Sequence, residues 1–134
     1  MTTIEEHRKA LKGFLEDINE KIKADLIVQR QKIVGFDASE ASTNLFAILL
    51  HKKNLISPGF NVNHRFFSSL KIAEDKFSFG MPKKEELLKL LVSQESYRDK
   101  LCYGKEKESE IVKKAIQNLY QIKKEVEEII GEEI

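Results

Sequence analysis

The side chains that could do chemistry are concentrated in one run, Tyr97-Arg98-Asp99-Lys100-Leu101-Cys102-Tyr103-Gly104. A guanidinium holds a phosphate or carboxylate through two parallel hydrogen bonds. Arg98 is therefore the candidate substrate-binding group, and Arg98, Asp99 and Tyr103 together form the candidate catalytic set. His64 is a second candidate for substrate contact, although its place after a turn also suits a local cap. Tyr103 follows Arg98 by five residues, which sets the two roughly 140° apart on an ideal helix. They converge only if the helix ends between them or a second copy of the chain supplies one. The plainer alternative is a surface pair of Arg98 with Glu95 or Asp99, beside a half-buried Tyr103 stacked on the last helix.

Other chemistries lack their residues. There is no Gly-rich phosphate loop, no Gly-x-Ser-x-Gly elbow and no paired-cysteine zinc signature. His7, His51 and His64 are far apart without ligand spacing, so neither a metal site nor a cofactor is expected. His51, near a helix C-terminus, reads as structural, a positive charge set favourably against the helix dipole. Cys102 reads as a buried, inert thiol. The runs Lys105-Glu106-Lys107-Glu108 and Lys123-Lys124-Glu125 mix signs and read as solvated faces.

The elements that must position these residues are helical. Thr2 or Thr3 caps a first helix whose stripe is Ile4, Leu11, Phe14, Leu15, Ile18, Ile22 and Leu26. The pattern can carry on through Ile33 to a stop at Gly35. Gly13 inside it costs about 1 kcal/mol relative to alanine. Asp37-Ala38-Ser39-Glu40 has the shape of a capping box and opens a second helix, apolar nearly all round from Ala41 to Leu50, that ends near Lys53 or Asn54. A third helix starts at Asn61 or Asn63 and runs past Phe66, Phe67, Leu70 and Ala73. Pro82 suits the first position of a fourth helix, which carries Leu87, Leu88, Leu91 and Leu101 to Gly104. The last spans roughly Glu106 to Ile130, with the stripe Ile111, Ala115, Leu119, Ile122 and Val126. No period-two strand and no domain linker interrupt them. The expected fold is all-α, an antiparallel up-and-down bundle of four to five helices in a single domain, 1–134.

Composition fits such a bundle: of 134 residues, 41% are apolar and 34% charged. With 23 basic and 22 acidic side chains the formal net charge is +1, so no global field favours nucleic acid. One cysteine excludes an intrachain disulfide and suits a reducing compartment. The longest uncharged run, Ala41 to Leu50, is too short to span a bilayer. The basic start and apolar core of a signal peptide are missing, and the expected location is the cytoplasm. The apolar second helix and Phe66, Phe67, Phe77 and Phe79 offer more apolar area than five helices readily cover, which predicts a homodimer.

In order and spacing, three segments resemble the HEPN domain superfamily, in particular its small stand-alone proteins. They are Asp37-Ala38-Ser39-Glu40-Ala41 through Leu49-Leu50-His51-Lys52-Lys53-Asn54-Leu55, Ser57-Pro58-Gly59 through His64-Arg65-Phe66-Phe67, and Tyr97-Arg98-Asp99 through Tyr103-Gly104. The resemblance covers about residues 5 to 130. It implies a four- or five-helix bundle paired as a homodimer, acting either as an RNA-cleaving toxin or as partner of a minimal nucleotidyltransferase. Nuclease members use an arginine, a polar residue, and a histidine four to six residues beyond the arginine. Arg98 matches the arginine and Asp99 the polar neighbour, but Cys102-Tyr103-Gly104 stands where the histidine belongs. A tyrosine, with a pKa near about 10, is a poor general base at neutral pH. The resemblance therefore points to binding of a partner protein, nucleotide or RNA ahead of cleavage by Arg98, Asp99 and Tyr103. A scaffold bundle with no ligand site is the third reading.

Overall fold

The computed structural model describes residues 3–134. Its elements are α1 (Ile4–Lys23), α2 (Gln31–Lys52), a 3₁₀ turn (His64–Phe67), α3 (Leu70–Lys76), α4 (Lys84–Cys102) and α5 (Ser109–Ile130). No strand occurs among the described residues, and the fold is the expected all-α bundle.

Thr3 caps α1, its Oγ1 accepting from the Glu6 N–H at 3.1 Å; Thr2 lies outside the described residues. The helix does not continue to Ile33. It ends in a turn where Asp25 takes the left-handed conformation (φ 57°), the Leu26 N–H bonds to the Lys21 carbonyl at 2.8 Å and the Asp25 N–H to the Ile22 carbonyl at 3.1 Å. This double closure normally recruits glycine, and the aspartate disguises the stop. The same closure ends α2 at Asn54 (φ 55°), where the sequence places it.

Gly35 is not a stop, and Asp37 is not a cap. Both lie inside α2, which begins six residues before Asp37. A Cβ on Gly35 would stand 2.8 Å from the Leu101 Cβ, so glycine here permits the close approach of α2 to α4. The third helix is split. Asn63 Oδ1 caps the 3₁₀ turn, and Ser69 Oγ separately caps α3. Pro82 lies in the turn before α4, whose N-cap is Lys83 in the left-handed region (φ 58°). Helix α5 starts at Ser109, after an irregular stretch anchored by buried Gln31, whose amide donates to the Lys107 carbonyl and accepts from its N–H.

Helix α2 is the hub and packs against α1, α4 and α5. Leu45, Phe46, Ile48, Leu49 and Leu50 are fully buried, each stabilising the fold by about 1.5–3 kcal/mol relative to exposure. By length and hydropathy α2 could cross a membrane, but 78% of its apolar window is buried inside the bundle, which is how a core helix earns that composition. The apolar surplus expected of α2 is thus covered within one chain. Phe67 and Phe77 are likewise buried, with Phe46 and Phe77 edge to face at 5.0 Å and Phe67 stacked on Phe77 at 5.6 Å. Apolar exposure lies elsewhere, at Ile22, Ile33, Phe36, Ile72, Tyr103 and Tyr120.

Candidate functional site

The antiparallel seam of α2 and α4 sets the geometry around Arg98. Lys32 meets Cys102 at one end, Gly35 meets Leu101, and Ser39 and Glu40 meet Arg98 one turn further along. The guanidinium donates from one terminal nitrogen to Glu40 Oε2 at 2.9 Å and to Ser39 Oγ at 3.1 Å, and it lies 5.1 Å from the centre of the Phe36 ring. Its side chain is 12% exposed. Arg98 is therefore paired with Glu40 across the seam, not with Glu95 or Asp99.

Asp99 and Tyr103 do not join it. Asp99 is exposed. Tyr103 is 67% exposed and sits on extended backbone past the helix end, not half-buried on α5. His64 does approach the seam. Its Nδ1 lies 2.8 and 3.0 Å from the two carboxylate oxygens of Glu95. A carboxylate only accepts, so Nδ1 carries the proton. Glu95 is one turn before Arg98 on α4. Ser39 links the two pairs: it accepts from Arg98 and lines, with His64 and Glu95, a narrow, half-open gap of about 10 Å³. That volume is on the scale of a single water molecule and holds no substrate.

The Cys102 thiol donates to the Lys32 carbonyl at 3.3 Å. Burial pushes its pKa up, so it stays a thiol and a poor nucleophile. His51 departs from its expected role as a cation on the dipole. Burial, with His7 beside it at 5.6 Å between ring centres, lowers its pKa and keeps it neutral. His7 Nδ1 bonds Asn44 Oδ1 at 2.7 Å, while Asn44 Nδ2 donates to the Glu40 carbonyl. The Nε2 atoms of both imidazoles are buried without partners.

A second polar cluster, absent from the sequence reading, lies between α1 and α2. Asp37 is 5% exposed and faces Asp17, whose carboxylate also takes a hydrogen bond from Lys21 Nζ at 2.8 Å. Burial, then the hydrogen bond and charge of Asp17, push the Asp37 pKa up to about 8. The same hydrogen bond, aided by Lys21, holds Asp17 below the ordinary carboxylate value. At neutral pH the two carboxyls share a proton that resides on Asp37. An aspartate inside an otherwise apolar helix was the available signal, masked by its resemblance to a cap. Glu40 and Glu95 left no such signal, because only the packing of distant elements gives them Arg98 and His64. Among the described residues no three His, Cys, Asp or Glu side chains converge as metal ligands would. Compared with known proteins, the chain matches no protein-family model, no curated protein and no solved structure.

Proposed function

We propose that this chain is a non-catalytic, HEPN-like bundle that pairs as a homodimer through the face carrying Ile33, Phe36 and Arg98, and that the dimer binds a partner protein of the minimal nucleotidyltransferase type, as in a toxin–antitoxin-like system. One observation carries this reading. The Arg98 charge is already compensated by Glu40, and the apolar side chains next to it are left open, Ile33 at 46% and Phe36 at 42% exposure. A phosphate arriving at Arg98 must displace a carboxylate at 2.9 Å, whereas an apolar partner surface gains area there without disturbing the pair. Nucleotide or RNA binding requires opening of the Arg98–Glu40 contact.

Light scattering at micromolar concentration tests the homodimer. A mass twice that of the 15.5 kDa chain is expected, and Ile33→Glu is expected to weaken pairing by about tenfold or more while circular dichroism stays helical. A mass of 15.5 kDa for the unaltered chain would remove the homodimer. Titration of nucleotides, RNA and a candidate partner into wild type and Arg98→Ala tests the rest: unchanged binding of every ligand takes Arg98 out of the interface.

A second reading, an RNase, draws on one observation only, the His64–Glu95 pair one turn from Arg98. A carboxylate-oriented imidazole is the arrangement of a general base. Incubation with mixed RNA in EDTA decides it. Cleavage lost in both His64→Ala and Arg98→Ala would replace the binding reading, and cleavage undiminished in both marks contamination.

A further inference from the structure

The end of the α1–α2 seam that holds His7 and His51 has an arrangement that packing alone leaves unexplained. Asn44 Nδ2 donates to the Glu40 carbonyl, which turns Asn44 Oδ1 to His7 Nδ1 at 2.7 Å. That oxygen only accepts, so Nδ1 carries the proton and Nε2 presents a lone pair. A carbonyl oxygen on one ring nitrogen is how a metal-ligating imidazole is fixed in tautomer and orientation. His7 is 9% exposed, and its Nε2 is buried without a donor. On the neighbouring ring His51 Nε2 is also buried without a partner, and neither nitrogen bonds the other. Two orphaned nitrogens in one seam carry a desolvation cost that a bound cation removes.

We propose that His7 and His51 form a two-coordinate site for a soft monovalent metal ion, copper(I), held between their Nε2 atoms. With nitrogen–metal distances of about 2 Å, two imidazoles in line on one ion have ring centres roughly 6 Å apart. Here the centres are 5.6 Å apart, with the planes tilted by 31°. A bend at the ion, or a small shift of the less buried His51 ring, closes the difference. The donor count selects the ion. Zinc takes three or four protein ligands and calcium six or more oxygens, and among the described residues no third His, Cys, Asp or Glu joins the pair. Imidazole suits copper, and the copper(I) ion accepts two donors in line. Charge provides an approach. His7 borders a half-open polar cavity of about 350 Å³ whose charged lining residues are Glu6 and Glu40, with no lysine or arginine among them. Arg8 and Lys52, next in sequence to the two histidines, are both engaged by Glu132. The imidazoles hold the ion by lone-pair donation, with no change of oxidation state.

Anaerobic titration of the full chain with copper(I) against a chromophoric copper(I) chelator tests this, in a Cys102→Ser background that removes the one thiol. A single ion per chain is expected to bind. His7→Gln and His51→Gln should each weaken binding by about a hundredfold, and Asn44→Ala, which frees the His7 ring, by about tenfold. Silver(I), a redox-inert analogue, should shift the nitrogen NMR resonances of both Nε2 atoms with the two histidines intact, which reads ligation directly whatever the substitutions do to folding. Affinity undiminished in both glutamine variants, or zinc bound as tightly as copper(I), would overturn the proposal. So would Nε2 resonances that silver(I) leaves in place, which would assign the gap between the rings to a buried water or to packing alone.

Discussion

Asp37→Asn is expected to stabilise the fold, by an amount that grows with pH. Folding moves the Asp37 pKa from an ordinary 3.8 to about 8. A carboxyl whose pKa is raised on folding contributes fully below its unfolded value, and that contribution is lost as pH rises towards the folded value. The window is therefore about pH 4 to 8. About four pH units at 1.36 kcal/mol each set a ceiling of roughly 6 kcal/mol. Asp17 shifts in the opposite direction by sharing the proton, which returns part of this, so roughly 2–4 kcal/mol is expected above pH 8. Asparagine is neutral throughout and its amide can donate to Asp17 as the protonated acid does. Urea unfolding of both proteins at pH 4, 6, 7 and 9 is the assay. The curves should nearly coincide at pH 4 and separate progressively above it. A variant that is destabilised at pH 9, or a difference that does not vary with pH, would refute the shared-proton account of the α1–α2 interface.

Three further outcomes follow from the geometry. Arg98→Ala should cost about 2–4 kcal/mol in urea unfolding, because it strips Glu40 of a charged hydrogen bond and Phe36 of its guanidinium cover; a loss below about 0.5 kcal/mol would mean the pair does not hold α2 to α4. The two helical glycines should respond with opposite sign. Gly35→Ala places a Cβ 2.8 Å from the Leu101 Cβ and should destabilise by about 1–3 kcal/mol, whereas Gly13→Ala meets nothing within 4 Å and should stabilise by up to about 1 kcal/mol; equal effects in thermal unfolding would contradict the packing at Gly35. Because burial lowers the His51 pKa, its contribution to stability is present above the unfolded histidine value and is lost as pH falls through the folded one. His51→Gln should flatten the acid side of the stability profile below the ordinary histidine value, and an unchanged profile would assign that limb elsewhere.

The departures from the sequence reading share a physical origin. Asp25 takes a left-handed turn that the pattern reserves for glycine, so α1 looks longer than it is. Gly35 then looks like the missing stop, although its role is to let α4 approach, a requirement set by Leu101, sixty-six positions away. Asp37 resembles a cap because polar residues at helix starts and polar residues buried by a second helix have the same local signature. The run from Tyr97 to Gly104 draws attention to Arg98, but its local neighbours are not its partners. Glu40, Ser39 and Phe36 reach it across the seam, while Asp99 and Tyr103 are exposed and take no part in the pair.

The sequence by itself determined that the chain is a helical bundle, that its second helix is central and that α5 carries one apolar stripe, because 3.6-residue periodicity and the hydrophobic effect act along each segment independently. Only the tertiary structure decided which charges meet. Ion pairs and shared protons depend on distances between residues far apart in the chain, and these are fixed by how closely the helices pack. Thus Arg98 faces Glu40, His64 faces Glu95, and Asp17 shares a proton with Asp37.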